Sequence, residues 1–188
     1  YEEFLTNKEI RDLPTGIDDT VVINDALYLF QRDIVQWALK RGRAAIFADC
    51  GLGKTAMQLE WAHHVSVHTN RPVLILAPLA VAAQTAREGD KFGIQVDVVR
   101  DPTDVGRGVY VTNYEILDRF DLSVFGGVVV DESSILKSFT GHYRNAIITG
   151  FRDTPFRLAC TATPAPNDHM ELTNHAEFLG VMTRQEML

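Results

Sequence analysis

Two short stretches of this 188-residue chain carry side chains able to handle a phosphate. The first, Ala48 to Thr55, reads Ala-Asp-Cys-Gly-Leu-Gly-Lys-Thr. Glycines at 51 and 53 let backbone N–H groups turn inward and approach an anion with no Cβ in the way. Lys54 offers a point charge to β- and γ-phosphates, and Thr55 a hydroxyl to Mg²⁺. Counting back from Gly53-Lys54-Thr55, the first glycine of the G-x-x-x-x-G-K-[ST] pattern falls on Ala48. Cys50 reads as a small space-filling loop residue; blockage of the loop by thiol modification is the sharper alternative. The second stretch is Asp131-Glu132, which closes the apolar run Gly126–Val130. Alone, such a pair reads as a helix cap. Combined with a phosphate loop, it reads as an Asp that holds Mg²⁺ through water and a Glu that orients or deprotonates an attacking water.

These residues need elements to position them, and the apolar periodicity supplies them. Ala44 to Phe47 is a short apolar run, and Met57, Trp61 and Val65 then recur every four residues, so strand, glycine loop and helix follow in order. Upstream, Asn24 or Asp25 caps a predicted helix with Leu27, Phe30, Ile34 and Trp37 on one stripe, ended by Gly42. That helix carries Gln31, whose amide has the donors and acceptor that reading an adenine edge requires. Downstream, strands are predicted at 72–77, 95–99, 109–112, 126–130 and 156–160. Helices are expected at 79–92, 114–120 and 142–151, and another carries Met170, Leu172, Ala176 and Leu179. Strands alternating with helices imply a mostly parallel sheet covered on both faces. In such a sheet ligands gather at the carboxyl ends of the strands, where the loop, Pro78, Thr112, Asp131-Glu132 and Thr161 to Thr163 all fall.

Composition sets the outer bounds. The chain is one domain's worth, 46% hydrophobic and 23% charged, as soluble globular proteins are. No apolar run reaches the roughly 20 residues of a membrane span. No signal peptide opens the chain, so a cytoplasmic location without membrane contact is expected. A net charge of −7 gives no global basic field for nucleic acid, although a local patch suffices for phosphate contacts. Cys50 and Cys160 match no zinc spacing and no disulfide framework. His63, His64 and His68 read as a solvated helix edge, with a metal site as the lesser alternative.

In order along the chain, the motifs resemble the first RecA-like lobe of superfamily-two helicases and translocases, closest to the Swi/Snf-like branch. Phe30-Gln31 with Ile34-Val35 and Trp37 is similar to the stretch ahead of motif I. Asp49 to Thr55, with Gly-Leu-Gly-Lys-Thr, resembles motif I. Leu76 to Leu79 with Val81 and Gln84 resembles motif Ia, and Thr112 to Glu115 motif Ib. Asp131-Glu132 with Leu136-Lys137 resembles motif II, and Arg157 through Thr161-Ala162-Thr163-Pro164 motif III. The tail at Ala165 to Asp168, with Glu171-Leu172, resembles phage-borne members. Ser134 stands where the family's motif II has its usual His, and Pro166 where the branch commonly has Gln.

The resemblance implies a three-layer α/β RecA-like lobe over residues 23–188, preceded by an extension at 1–22. It implies ATP and Mg²⁺ as cofactors, with Gln31, Cys50, Gly51, Leu52, Gly53, Lys54 and Thr55 at the nucleotide, and Thr55 and Asp131 at the metal. Glu132 and Lys54 are then the catalytic pair, and Ser134, Thr161 and Thr163 couple motif II to motif III. Gln84, Thr112 and Asn113 are the expected nucleic-acid contacts, DNA being the expected partner. A second RecA-like lobe, in cis, is implied as the source of arginine fingers, worth roughly 10³–10⁵ in rate. Without that lobe, weak Mg-ATP binding and slow hydrolysis are expected. The rival readings are a P-loop phosphotransferase acting on a small molecule and a non-hydrolysing, ATP-gated nucleic-acid-binding module.

Overall fold

The computed structural model describes residues 15–18, 21–101, 105–137, 141–164, 172–183 and 186, without the side chain of residue 137. Helix α1 (Leu29–Arg41) leads into β1 (Arg43–Phe47), and α2 (Lys54–Thr69) into β2 (Val73–Leu76). Helix α3 (Leu79–Lys91) precedes the edge strand β3 (Val96–Val98) and its neighbour β4 (Val109–Thr112). After two 3₁₀ turns (Tyr114–Arg119 and Leu122–Val124) come β5 (Gly127–Asp131), a 3₁₀ turn at Ser133–Lys137, α4 (His142–Gly150), β6 (Phe156–Thr161) and α5 (Leu172–Leu179).

All five pairings are parallel, in the order β1-β6-β5-β2-β4-β3. Strands β2, β4 and β6 are buried along their whole length, as expected of a parallel sheet with both faces covered. One core gathers α1, α2 and α3 against one face, with Trp61, Met57, Val65 and Ile75 at its centre. The other packs the 3₁₀ turns, α4 and α5 on the opposite face around Leu74, Leu76, Phe125 and Phe151. The sheet is thus the middle of three layers.

Two expectations are corrected. Helix α1 starts at Leu29, after Leu27, and buries Gln31, Val35, Ala38 and Leu39. Phe30 and Trp37, expected to face the core, are 45% and 46% exposed. The aromatic stripe lost to the face that brings Gln31 against the glycine loop. The loop expected after Asp131-Glu132 is instead largely a 3₁₀ turn, with Leu136 buried.

Of the expected N-terminal extension, residues 1–14 and 19–20 lie outside the described residues. Its described part docks: Ile17 is buried, and the N–H groups of Thr15, Gly16 and Ile17 donate to the last carbonyls of α1. Ala165 to Glu171, Met170 included, also lie outside the described residues.

Candidate functional site

Strand register decides which loops meet. Ile46 in β1 pairs with Cys160 in β6, and Cys160 pairs with Asp131 in β5. The glycine loop leaves β1 one strand beyond β6, and the acidic pair leaves β5 on its other side. Two strand spacings, about 10 Å, therefore separate the loop from the acidic pair. Thr161, at the end of β6, stands between them, and its carbonyl accepts from Ala48 N (3.2 Å).

In the loop, Gly53 has φ +76, and a Cβ on it would lie 2.3 Å from Nε2 of Gln31. Any side chain at 53 would be strained and would collide with that amide. Gln31 donates to Leu52 O (2.9 Å) and accepts from Tyr28 N (2.9 Å), so its amide ties α1 to the loop. Lys54 opens α2, with Thr55 next in the first turn. The Lys54 ammonium reaches back over the loop to Ala48 O (2.8 Å) and Asp49 O (3.1 Å). Cys50 is exposed, and its N–H donates to Asp49 Oδ1 (2.7 Å).

On the far side, Asp131 Oδ1 accepts from Gln58 Nε2 (2.7 Å) and from Glu132 N (3.0 Å). The Tyr114 hydroxyl donates to its backbone carbonyl. Burial pushes the Asp131 carboxyl above the usual carboxylate range, against the pull of these bonds and of the Lys54 charge. The same burial, with the charges of Asp131 and Glu132, pushes the Tyr114 phenol well up. Glu132 has φ +53, unusual for a residue with a Cβ. That turn carries its carboxylate to Thr161, whose hydroxyl donates to Glu132 Oε1 (2.7 Å). Thr161 Oγ1 also accepts from Thr163 N (3.1 Å).

Ser134 donates to Glu132 Oε1 (3.1 Å), so a serine hydroxyl and Thr161 share one carboxylate oxygen. The neighbouring Ser133 is fully buried, with its hydroxyl 3.0 Å from His175 Nε2 on α5. The His175 ring meets Phe47, at the end of β1, edge-on.

Lys54, Asp131, Glu132 and Thr161 thus share one end of the sheet. Gln84, Thr112 and Asn113 lie towards the other edge. Gln84 is exposed and donates to Glu88 (3.2 Å). Thr112 is buried and gives its hydroxyl to Val99 O (2.8 Å), which pins β3 to the end of β4. Asn113 is buried beside a cavity of about 270 Å³ that Arg100 and Arg119 also line. Sequence reasoning missed Gln58 and His175. Gln58 sits one helical turn past Lys54 on the buried face of α2, and a glutamine at a core position was the available signal. His175 is a polar residue in a short helix whose buried face also holds Thr173 and Asn174. The three histidines of α2 do not converge: His64 bonds Glu60 (3.0 Å) and His68 meets the Phe156 ring. Among the described residues, no His/Cys/Asp/Glu group has the arrangement of a metal site.

Comparison with known proteins adds a fold and a direction. No protein-family model matches the chain. The mouse protein described as "DNA annealing helicase and endonuclease ZRANB3" is 29% identical over 168 residues, which cover 80% of this chain and 16% of that protein. The Sulfolobus solfataricus SWI2/SNF2 ATPase core, solved in complex with dsDNA, superposes on 85% of this chain with TM-score 0.72 at 22% identity. The UvsW helicase of bacteriophage T4 covers 97% of it with TM-score 0.66 at 17% identity. The chain spans 36% and 64% of those two solved chains. The α/β fold is therefore the RecA-like one of helicase ATPase cores. No described helix is long and apolar enough to cross a membrane.

Proposed function

We propose that this chain is the ATP-binding lobe of a DNA-dependent ATPase of the Swi/Snf-like helicase and translocase type. One observation carries the reading: the glycine loop and the acidic pair leave strands on either side of β6, at one end of the sheet, with Thr161 bonded to both. The sequence similarity to a DNA annealing helicase and the superposition on a dsDNA-bound ATPase core support it.

The donor set fits Mg-ATP. Lys54 now rests on two neutral carbonyls, which a phosphate oxygen outcompetes as partner for an ammonium. The N–H groups of Gly51, Gly53 and Lys54 and the first turn of α2 offer donors and the positive helix end to a β-phosphate, while those of Cys50 and Leu52 already bond Asp49. Asp131 has Oδ1 held by Gln58 and the Glu132 N–H, which leaves Oδ2 to a cation or its water, with the Thr55 hydroxyl as the other protein ligand. Held by Asp131 and Thr55, a magnesium ion would supply charge neutralisation for the phosphates.

Glu132 orients and deprotonates the attacking water, its carboxylate aimed by Thr161 and Ser134. Thr161 senses that carboxylate through its hydroxyl, at the end of β6, and relays its state to Thr163, whose N–H donates to Thr161 Oγ1. Gln31 holds the loop from α1, and its amide reaches adenine only by releasing Leu52 or Tyr28. A second lobe in cis supplies arginine fingers, and a DNA strand lies along the ends of β2 and β4 near Gln84, Thr112 and Asn113. Contacts of that kind fix position on the strand and carry no sequence information.

The test is ATP hydrolysis by the full-length protein with and without DNA. Phosphate release that rises with DNA and disappears in Glu132→Gln is the expected result. Turnover indifferent to DNA, with a small molecule phosphorylated instead, is the phosphotransferase outcome and ends this reading.

A further inference from the structure

The opposite end of the sheet holds a second cavity, of about 470 Å³. Arg43 opens β1 and Arg157 opens β6, and the two are register partners on neighbouring parallel strands. Their side chains therefore leave the same face of the sheet. Both guanidinium groups close on one point. A Cβ added at Gly180, just past α5, would lie 2.9 Å from Arg157 Nη2 and 3.0 Å from Arg43 Nη1. Arg152, beyond the end of α4, lines the same cavity.

Arg157 is the anomaly. It is 3% exposed, and Nη1 donates to Phe178 O (2.6 Å), while the buried Nε has no hydrogen-bond partner. Burial and the neighbouring Arg43 charge push its pKa down to about 10. Two carboxylates, Glu177 and Glu186, also line the cavity, and each has one oxygen held by another partner. Glu177 pairs with Arg144 (2.5 Å), and Glu186 accepts from Thr183 N (2.7 Å) and Oγ1 (2.8 Å). Asp153 acts on Arg157 only as a more distant charge. Among the described residues, no carboxylate forms an ion pair with Arg43 or Arg157. Two like charges held side by side at the cavity, with a buried donor left over, favour an anion between them.

We infer that this cavity is a phosphate site, in which Arg43 and Arg157 hold a tetrahedral oxyanion between them and Arg152 closes on it from the cavity mouth. Guanidinium forks match the oxygen pairs of a phosphate. Gly180 leaves the room that any side chain would fill. The ligand is inorganic phosphate or the terminal phosphate of a small ester. The site lies at the start of β6, whose other end carries Thr161, and it does not depend on the nucleotide reading.

The test titrates inorganic phosphate, methyl phosphate and, as a control, sodium chloride into the full-length protein carrying Lys54→Ala, which silences the glycine loop. Calorimetry and the melting temperature are read together. Saturable phosphate binding that raises the melting temperature, and that Arg43→Gln weakens at least tenfold, is the expected result. In phosphate-free buffer Arg43→Gln melts close to its parent, because loss of the like-charge contact offsets loss of the bond from Arg43 Nε to Pro155 O (3.3 Å). Equal affinity for methyl phosphate identifies an ester ligand, and preference for the free ion identifies inorganic phosphate; both support the site. Phosphate binding that Arg43→Gln leaves unchanged, no saturable binding in the Lys54→Ala protein, or an equal effect of chloride would overturn it.

Discussion

Lys54 and Glu132 divide the work at the nucleotide, and single substitutions separate their roles. Lys54→Ala removes the ammonium that now spans Ala48 O and Asp49 O. ATP affinity should fall at least about tenfold, or about 1.4 kcal/mol, measured by displacement of a fluorescent nucleotide. Glu132→Gln keeps an oxygen for the Thr161 hydroxyl and the shape of the turn. Nucleotide affinity should hold while turnover drops by about 10²–10⁴. A parallel loss of affinity would place Glu132 in binding and not in catalysis. Gln58 governs a third property. Burial already raises the Asp131 carboxyl, and the Gln58 bond opposes that rise. A cation takes the ionised carboxylate, so Mg²⁺-dependent ATP binding should strengthen as pH rises. Gln58→Leu should move that dependence to higher pH; an unmoved profile would mean that Asp131 does not meet the metal.

Helix α2 joins the site to the fold, and its stability should depend on pH through the pair at its middle. Glu60 is 3% exposed and accepts from Asn24 N (2.8 Å) and His64 (3.0 Å). Burial works against its ionised form, but the His64 and Asn24 bonds win, and its pKa lies below the usual 4.5. A carboxylate with a lowered folded pKa stabilises above its unfolded pKa, and that stability is lost as pH falls through the folded one. Burial, with the His64 charge, also lowers the neighbouring His63 below 6.5, so protonating it favours the unfolded chain. Both effects run the same way. The melting temperature should fall as pH drops below about 6.5 and fall again below about 4.5. Glu60→Gln should remove the second, lower-pH fall.

The elements themselves were largely legible in the sequence. Trp61, Met57 and Val65 announced the buried face of α2 by their spacing, and β4 begins and ends where its apolar run does. Helix α1 was legible in place but not in face. Its aromatic residues gave the stronger periodic signal, yet contact between Gln31 and a loop 21 residues away decided the rotation. The Ser133–His175 pair was illegible for the same reason: no local pattern ties residues 42 positions apart.

At the scale of the whole molecule, the sheet order β1-β6-β5-β2-β4-β3 makes the site, and periodicity alone could not reveal it. Placing β6 between β1 and β5 seats Thr161 between the loop and the acidic pair. The same crossover brings Arg43 and Arg157 together at the opposite end. In the proposed motor a second lobe completes the charge neutralisation, so residues 1–188 alone should hydrolyse ATP slower than the full-length protein by about 10³-fold or more. Steady-state phosphate release from both forms, with saturating DNA, checks this. Equal rates would mean that this lobe needs no fingers.

The proposed nucleotide site requires Lys54 and Asp131 to meet around one magnesium-bound triphosphate. Its most direct measurement is the dissociation constant of ATP for the unaltered protein, Lys54→Ala and Asp131→Asn, each with Mg²⁺ and with EDTA. Lys54→Ala should weaken binding under both conditions, and Asp131→Asn only when Mg²⁺ is present. An Asp131→Asn protein that binds ATP in Mg²⁺ as tightly as its parent would contradict it.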